Sequence, residues 1–379
     1  MVMWLFSLNQ AAPSFAALSP VVPLPPPTPG VSHNPNPPPN QIPATYDNAT
    51  LTEDVIWRGV VVIRGALAIA PQTTLRIDPG TEIRFLSAKG SRQLPRLVVM
   101  GRIQAVGTLD HPILFTSSPG SPVNKGVWGG ILLLSSEKRN QLEHCRIENT
   151  DTAFEGRFSN ISLKSVAITA SKTGISLRDS TAVVTQSRVS GCETGIEAHD
   201  CELELRDTAV SKNQHGLVLL RCATVMSSVT VTGNSQHGLQ VEEGRLKLTS
   251  CEFSGNGVGA YIKGVEGQLF MCRFMRNIET ALHLAAARLK VNRCQITGNL
   301  RDGLKLEDGH ATIWANAFSG NGGYNLVITG SENISVPQNW WGAADEPSVK
   351  SKLFDVARDV RLGQVNVYPW LLEKPVLIP

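Results

Sequence analysis

Large apolar residues return to the same place in the chain every 21 or 22 residues between positions 147 and 318. This column consists of Ile147, Ile168, Val189, Val210, Val231, Phe253, Phe274, Ile296 and Phe318. Between these positions apolar and polar residues alternate with a period of two, as in Gly216–Leu219 and Arg245–Leu248, which predicts short strands with one buried face. The chain is therefore expected to be a repeat of coils, each of which adds one large side chain to a shared core.

Two further columns follow the same period of 21 or 22 residues. One consists of Gly174, Gly195, Gly216, Gly238, Gly259 and Gly303, and the other of Asn213, Asn234, Asn256, Asn277, Asn299 and Asn321. We interpret each Gly as the residue of a sharp turn with positive φ, a conformation that glycine adopts without steric cost. The Asn column is expected to form a ladder of side chains hydrogen bonded from coil to coil.

The position of Asn within the repeat distinguishes between solenoid classes. In a leucine-rich repeat the Asn follows the strand, whereas here it precedes the first Leu of the Gly-Leu-x-Leu strand by four or five residues. A left-handed β-helix of hexapeptides would favour a period divisible by six, and neither 21 nor 22 is divisible by six. The sequence therefore predicts an all-β fold, a right-handed parallel β-helix solenoid of 21–22 residues per coil with terminal caps.

Changes in composition divide the chain into four predicted segments. Residues 47–342 are expected to form the β-helix, and residues 343–379 a C-terminal cap with a short helix at Val349–Val356 and a strand. The first 46 residues contain no Asp, Glu, Lys or Arg. Residues 1–19 are apolar and rich in small residues, which favours an export signal, and residues 20–46 are expected to be a Pro-rich disordered tether.

Charge and hydropathy limit the classes of partner. The net charge of +3 is spread over interleaved acidic and basic residues, so the chain has no basic stripe for nucleic acid, and we predict no nucleic-acid partner. It also contains no stretch of about 20 apolar residues, so no transmembrane segment is predicted. Together with the export signal, this favours an extracytoplasmic location.

The seven cysteines follow the repeat rather than a disulfide framework. Four of them share one column, two are stacked 21 residues apart, and one takes an Asn-ladder position: Cys145, Cys251, Cys272 and Cys294; Cys201 and Cys222; and Cys192. We expect reduced, buried thiols that act as small hydrophobic side chains. A disulfide bond between stacked neighbours remains the alternative interpretation if the compartment is oxidising.

The C-terminal region carries a family resemblance. Asn339-Trp340-Trp341-Gly342, followed by Gly363–Leu371, resembles the ending of bacterial extracytoplasmic right-handed parallel β-helix repeat proteins, and Leu67–Pro71 with Leu75–Thr81 resembles their opening. The resemblance implies membership of the pectin-lyase-like superfamily. That superfamily includes pectate lyases, polygalacturonases, uronan epimerases, phage tailspikes and a periplasmic copper protein, so the fold alone specifies no chemistry.

Outward-facing residues after each repeated Gly form two files on one predicted sheet. The polar and aromatic members of four successive coils form the candidate binding patch, namely Glu242, Tyr261, Lys263, His283, Lys305 and Glu307. Of these, Tyr261, His283 and Lys263 are the candidate catalytic residues, because a phenol or an imidazole can transfer a proton and an ammonium can neutralise a carboxylate. The alternative interpretation is an ordinary solvated face in which opposite charges on neighbouring coils support the sheet.

Three functions fit this pattern. The main hypothesis is a secreted or envelope-associated scaffold that binds polysaccharide or another envelope polymer. The alternative is a polysaccharide lyase or uronan epimerase that uses the same sheet, although the chain matches no motif of the β-helix hydrolases, lyases or epimerases. The second alternative is a purely structural spacer.

One pair of histidines is a weak metal candidate. His215 and His237 each precede a repeated Gly on neighbouring coils, so their rings are expected to lie about 5 Å apart. Two imidazoles at that distance can share a divalent metal. The same column offers no residue nearby that would complete the ligand set, so a stacked pair is the favoured interpretation, and no cofactor is expected.

Overall fold

The computed structural model describes residues 43–87, 93–117, 125–136, 138–308 and 310–375. The predicted export signal, residues 1–19, lies outside the described residues, as does most of the predicted tether. Within these described ranges, no helix is long and apolar enough to cross a membrane.

The chain winds into a parallel β-helix of about 12 turns, in which each coil pairs with the coils before and after it. Three ladders of parallel strands, here called sheets A, B and C, follow one another around the coils, and sheet A alone continues to the last strand. The predicted all-β solenoid is confirmed. The register advances by 21 or 22 residues per coil in the regular part of the chain, as in Ile168↔Val189 and Val231↔Phe253.

The strands that belong to a single sheet are short. Sheet A contains Arg96–Val99, Gly130–Leu134, Thr152–Arg157, Thr173–Arg178, Thr194–His199, Val258–Lys263, Leu282–Ala285, Leu304–Glu307, Leu326–Ile328 and Leu353–Phe354. Sheet B contains Val55–Trp57, Thr74–Ile77, Arg102–Val106, Asn140–Glu143, Asn160–Lys164, Thr181–Thr185, Glu202–Arg206, Glu266–Phe270, Arg288–Asn292 and Thr312–Trp314. Sheet C contains Glu82–Leu86, Ile113–Ser117, Cys145–Glu148, Ala167–Thr169, Arg188–Ser190, Ala209–Ser211, Thr230–Thr232, Glu252–Ser254, Arg273–Met275, Gln295–Thr297 and Ala317–Ser319.

Longer strands continue around a corner of the coil and belong to two sheets. His215–Ser227 and His237–Thr249 run from sheet A into sheet B, and Val60–Ile69 runs from sheet C into sheet A. The first strand, Ala44–Leu51, pairs with Val60–Ile69 and covers the start of the solenoid. It includes residues 44–46 of the predicted tether, because Tyr46 packs on the first coil, where its hydroxyl accepts a hydrogen bond from Trp57 Nε1 at 3.2 Å.

The core is the interior of the coil. The apolar column predicted from the sequence is in register in sheet C, and all its members are at most 1% exposed. Its members Phe253 and Phe274 stack with ring centroids 5.0 Å apart, and Phe318, the last member, stacks on Trp341 at 4.7 Å. The seven cysteines are free and buried.

The Asn ladder is present as predicted. The side-chain oxygen of Asn234 accepts hydrogen bonds from both the backbone N–H and the side-chain amide of Asn213, and Asn256 does the same for Asn234. Cys192 takes a ladder position, where its backbone N–H donates to Asn213 Oδ1 at 2.8 Å. The ladder therefore satisfies buried backbone groups at a corner that lies between sheets C and A.

The interpretation of the repeated Gly residues as positive-φ turns is wrong. None of the six has positive φ; that conformation occurs instead at corner residues such as Gly233, with φ 64°. The repeated Gly is required by close approach, since a Cβ on Gly238 would lie 2.6 Å from the Gly259 carbonyl oxygen and 2.7 Å from Asn256 Nδ2. The Gly and Asn columns are thus two parts of one packing arrangement.

The C-terminal helix lies earlier than predicted. It spans Glu346–Ser351, whereas the sequence favoured Val349–Val356. Asp345 sets the start, because its side chain accepts a hydrogen bond from the Ser348 backbone N–H at 2.9 Å. After the helix, Leu353–Phe354 joins sheet A as its last strand instead of continuing the helix.

The rest of the described C-terminal segment returns along the end of the solenoid. Val365–Asn366 pairs with Ile334–Ser335 in a separate two-stranded sheet. Trp370 follows this strand, and its indole N–H donates to the Ala344 carbonyl oxygen at 3.2 Å. Val349, Val365 and Val367 belong to the same buried core as the coils, so these contacts cover the last coil.

Candidate functional site

The two outward files of sheet A are in register over successive coils. The first file runs through Ser176, Glu197, Val218, Gln240, Tyr261, His283 and Lys305, and the second through Arg178, His199, Leu220, Glu242, Lys263, Ala285 and Glu307. Because alternate residues of a strand point to the same side, these side chains form one face of the solenoid. All six residues of the candidate patch lie on it.

Four of the six patch residues are connected by direct contacts. The rings of Tyr261 and His283 meet edge to face, with centroids 4.9 Å apart. His283 Nε2 lies 2.9 Å from Glu307 Oε2, and Lys305 Nζ lies 3.6 Å from the same oxygen. Tyr261, His283, Lys305 and Glu307 therefore form a single cluster across three coils.

The other two patch residues stand beside this cluster. Glu242 accepts a hydrogen bond from Gln240 Nε2 at 3.1 Å. Lys263 is the register neighbour of Glu242 and is exposed, and among the described residues no ion pair joins the two side chains. Its ammonium is consequently available to a ligand.

The protonation state of the cluster follows from its contacts. Burial lowers the pKa of the His283 imidazole; the hydrogen bond that His283 donates to Glu307 opposes this effect, and the Lys305 ammonium adds to the lowering. The same hydrogen bond lowers the pKa of the Glu307 carboxyl. At neutral pH a neutral imidazole therefore faces a carboxylate, which only accepts hydrogen bonds, so Nε2 carries the proton and Nδ1 is left as the acceptor.

The rings of the candidate metal pair extend this cluster. His215 and His237 are stacked with centroids 6.0 Å apart and planes within 8° of each other. The ring of Tyr261 lies 6.4 Å from that of His237. His215, His237, Tyr261 and His283 thus form one continuous row, here called the ring row, on four successive coils.

The stacked histidines are poorly arranged to bind a metal. Nδ1 of His215 and Nδ1 of His237 are both buried without a hydrogen-bond partner. A ligating imidazole normally donates its second ring N–H to an oxygen, and here that N–H would be buried and unpaired. Within the described ranges, no group of three or more His, Cys, Asp and Glu side chains can hold a metal ion.

Sequence reasoning missed the ring row because its members occupy two columns. His215 and His237 directly precede the repeated Gly, whereas Tyr261 and His283 lie in the first outward file. The row crosses from one column to the other between His237 and Tyr261. A search for ring-bearing residues on neighbouring coils, instead of within one column, would have found it.

Comparison with protein-family models identifies the family. The model of the right handed beta helix region matches residues 120–246 and 222–341, which together span more than half of the chain. The chain belongs to the right-handed beta helix family. A second model, the pectate-lyase like beta helix domain, matches residues 49–162 of this β-helix protein.

Solved structures with a similar fold are distant in sequence. A double mutant of the periplasmic alginate epimerase AlgG is 11% identical, with 84% of this chain and 78% of that chain covered and a TM-score of 0.45. The mannuronan C-5 epimerase AlgE4 A-module of Azotobacter vinelandii is 13% identical, with 79% and 91% covered and a TM-score of 0.42. Pectate lyase Pel9A is 11% identical, with 80% and 70% covered and a TM-score of 0.33. Comparison with curated proteins gives no match.

Proposed function

We propose that this β-helix protein is an extracytoplasmic scaffold that binds a polysaccharide along sheet A. The observation that carries the proposal is the ring row, because four partly exposed rings lie in contact order on successive coils beside Lys263 and Glu307. This row of four coils is longer than the contact surface that one small ligand needs. Its direction along the solenoid axis suits a polymer.

The chemistry of the row suits sugars. The C–H faces of a pyranose ring pack on aromatic faces, while its hydroxyls need donors and acceptors at the edges. The patch supplies both, since Lys263 and Lys305 donate, whereas Glu242 and Glu307 accept. Successive coils are about 4.8 Å apart, a spacing comparable to the length of one sugar unit.

One observation favours a catalytic alternative, a polysaccharide lyase or uronan epimerase. His283 is oriented by Glu307, is neutral at neutral pH, and contacts the ring of Tyr261. An imidazole held in one tautomer by a carboxylate is able to accept a proton, and a tyrosine hydroxyl beside it is able to donate one. Lys263 would then hold a carboxylate of the substrate.

The location of the protein is part of the same proposal. We propose that residues 1–19 direct export, that residues 20–46 act mainly as a tether, and that residues 343–379 form the cap of a secreted or envelope-associated solenoid. The apolar start and the Pro-rich stretch of the sequence support this assignment.

The test is binding to a panel of acidic and neutral polysaccharides, with polymer length and unsaturated-uronate absorbance recorded together. Tyr261→Ala is expected to weaken binding about tenfold or more, as the loss of a stacked ring does. The matched control is Phe270→Ala on sheet B, which removes a ring that lies next to Arg293. Equal affinity for the wild type and Tyr261→Ala would contradict the proposed site.

The same experiment separates the alternatives. Polymer shortening with unsaturated ends, or a changed uronate composition, would support an enzyme, and Tyr261→Phe and His283→Ala would then abolish turnover while binding persists. A protein that binds none of the polymers would be a structural spacer.

A further inference from the structure

The first outward file continues beyond the residues assigned to the candidate patch. Lys305 is in register with Val327, and Val327 with Phe354 on the last strand of sheet A. The ring of Phe354 is partly exposed and therefore lies on the same face as Tyr261 and His283. Three coil steps separate Phe354 from His283, which is roughly 14 Å at the usual strand spacing.

A second ring meets Phe354 at this end of the face. Tyr324 packs edge to face against it, with centroids 5.2 Å apart. The carbonyl oxygen of Tyr324 accepts a hydrogen bond from Gly303 N–H, which places Tyr324 in the column that holds His215 and His237. Rings thus occupy the same two columns at both ends of the patch, namely the column that precedes the repeated Gly and the first outward file.

The backbone around this second pair of rings is held in place. The Tyr324 N–H donates to Asp302 Oδ1 at 2.8 Å. Lys352, two residues before Phe354, donates from Nζ to the carbonyl oxygens of Asn321 and Gly323 at 3.1 and 3.0 Å. The bonds of Lys352 join the turn before Tyr324 to the strand of Phe354, and the bond to Asp302 holds Tyr324 on the preceding coil, so the two rings keep a fixed relation before any ligand binds.

We propose that Tyr324 and Phe354 form a second stacking subsite for the polysaccharide, separated from the ring row by the polar side chains of Lys305 and Glu307. This inference rests on the proposed function. Its consequence is a dependence of affinity on polymer length. An oligomer that reaches both subsites makes the second contact within one complex, so its affinity exceeds that of an oligomer confined to the ring row.

The experiment measures the affinity of oligomers of roughly two to eight sugar units, the range needed to span one subsite or both. Oligomers of alginate and of a neutral β-1,4-glucan serve as the acidic and neutral probes. For the wild type, we expect the affinity to rise about tenfold or more once the oligomer reaches both subsites. Phe354→Ala and Tyr324→Ala are expected to remove this rise and to leave the affinity for the shortest bound oligomers unchanged.

Two variants keep the outcome interpretable. Phe354→Leu retains an apolar side chain but no ring, so it should lose the dependence on length while the last strand stays folded, as judged from its thermal unfolding. Tyr261→Ala should weaken the binding of oligomers of every length, because it alters the ring row itself. An unchanged length dependence in Phe354→Leu and Tyr324→Ala would overturn the second subsite while the proposed function stands. A wild-type protein that binds neither oligomer series would overturn both.

Discussion

His283 and Glu307 stand on neighbouring coils of sheet A, and the imidazole Nε2 of the first donates to the carboxylate Oε2 of the second at 2.9 Å. Glu307 lies in the second outward file, so this bond runs diagonally across the sheet and links the two files. It fixes the tautomer of His283 and directs Nδ1 away from Glu307 as an acceptor. The bond therefore decides how the imidazole is presented to a ligand.

Replacement of Glu307 by Gln is expected to lower the pKa of His283 further. The Glu307 carboxylate raises this pKa against the effect of burial, and the neutral amide of Gln removes most of that contribution. A titration of the imidazole resonances by NMR measures the change. Glu242→Gln on the same face is the control. An unchanged or higher His283 pKa in Glu307→Gln would show that the hydrogen bond does not form in solution.

The stability of the protein is expected to fall as the pH is lowered through the ordinary histidine pKa of about 6.5. The pKa of His237 is lowered in the folded state, mainly by burial, so the unfolded chain binds protons first and stability increases with pH in this window. His283 acts in the same direction. His237→Phe keeps a ring in the stack and should show a smaller loss of unfolding free energy between neutral and mildly acidic pH.

Urea unfolding at several pH values measures this difference. His111→Phe, a substitution at an exposed position, controls for the change of residue type. An identical pH dependence for wild type and His237→Phe would mean that His237 is not the group that titrates.

The repeat made most of the fold predictable. Because residues such as Phe253 and Phe274 recur with one period, the sequence specifies which side chains share a column, and the columns specify the two outward files. The diagonal contact between His283 and Glu307 was not predictable, because the period gives the register but not the side-chain conformations. The helix at Glu346–Ser351 was misplaced for a similar reason, since the sequence does not show that Leu353–Phe354 finds a free strand edge in sheet A.

The repeated Gly residues show the same limit in another form. The sequence predicted correctly where glycine recurs but not why glycine is required there. The reason is that the carbonyl oxygen of Gly259 and the side-chain amide of Asn256 approach Gly238 from the next coil. Glycine serves equally for positive φ and for close approach. Only the three-dimensional arrangement distinguishes these two causes.

Gly238→Ala is therefore expected to be more destabilising than Gly233→Ala. The new Cβ at position 238 would lie 2.6 Å from a backbone oxygen, and relief of such overlap costs about 3 kcal/mol. At Gly233 the Cβ has open space, and only the φ of 64° is unfavourable, which costs about 1 kcal/mol. Urea unfolding of both variants measures the difference, and a larger loss in Gly233→Ala would show that the close approach at Gly238 is relieved at little cost in free energy.

The Asn ladder is expected to contribute strongly to stability at its middle position. Asn256 is fully buried; its Oδ1 accepts from the backbone and the side-chain amide of Asn234, and its Nδ2 donates to the carbonyl oxygen of Val231 and to Asn277 Oδ1. Asn256→Ala leaves buried partners without a hydrogen bond, which costs about 1–3 kcal/mol for each group. We expect a total loss of at least about 3 kcal/mol in urea unfolding.

Asn292→Ala is the matched control for the ladder. Asn292 is partly exposed on sheet B, and its Oδ1 accepts one bond of 3.4 Å from Gln268 Nε2. Its replacement should cost less than about 1 kcal/mol, as for other surface substitutions. Because coils interact only with their neighbours, the Asn256→Ala loss should also appear locally, as faster amide exchange in the coils that hold Asn234 and Asn277. Similar losses in Asn256→Ala and Asn292→Ala would mean that the ladder fills space without stabilising the corner through its hydrogen bonds.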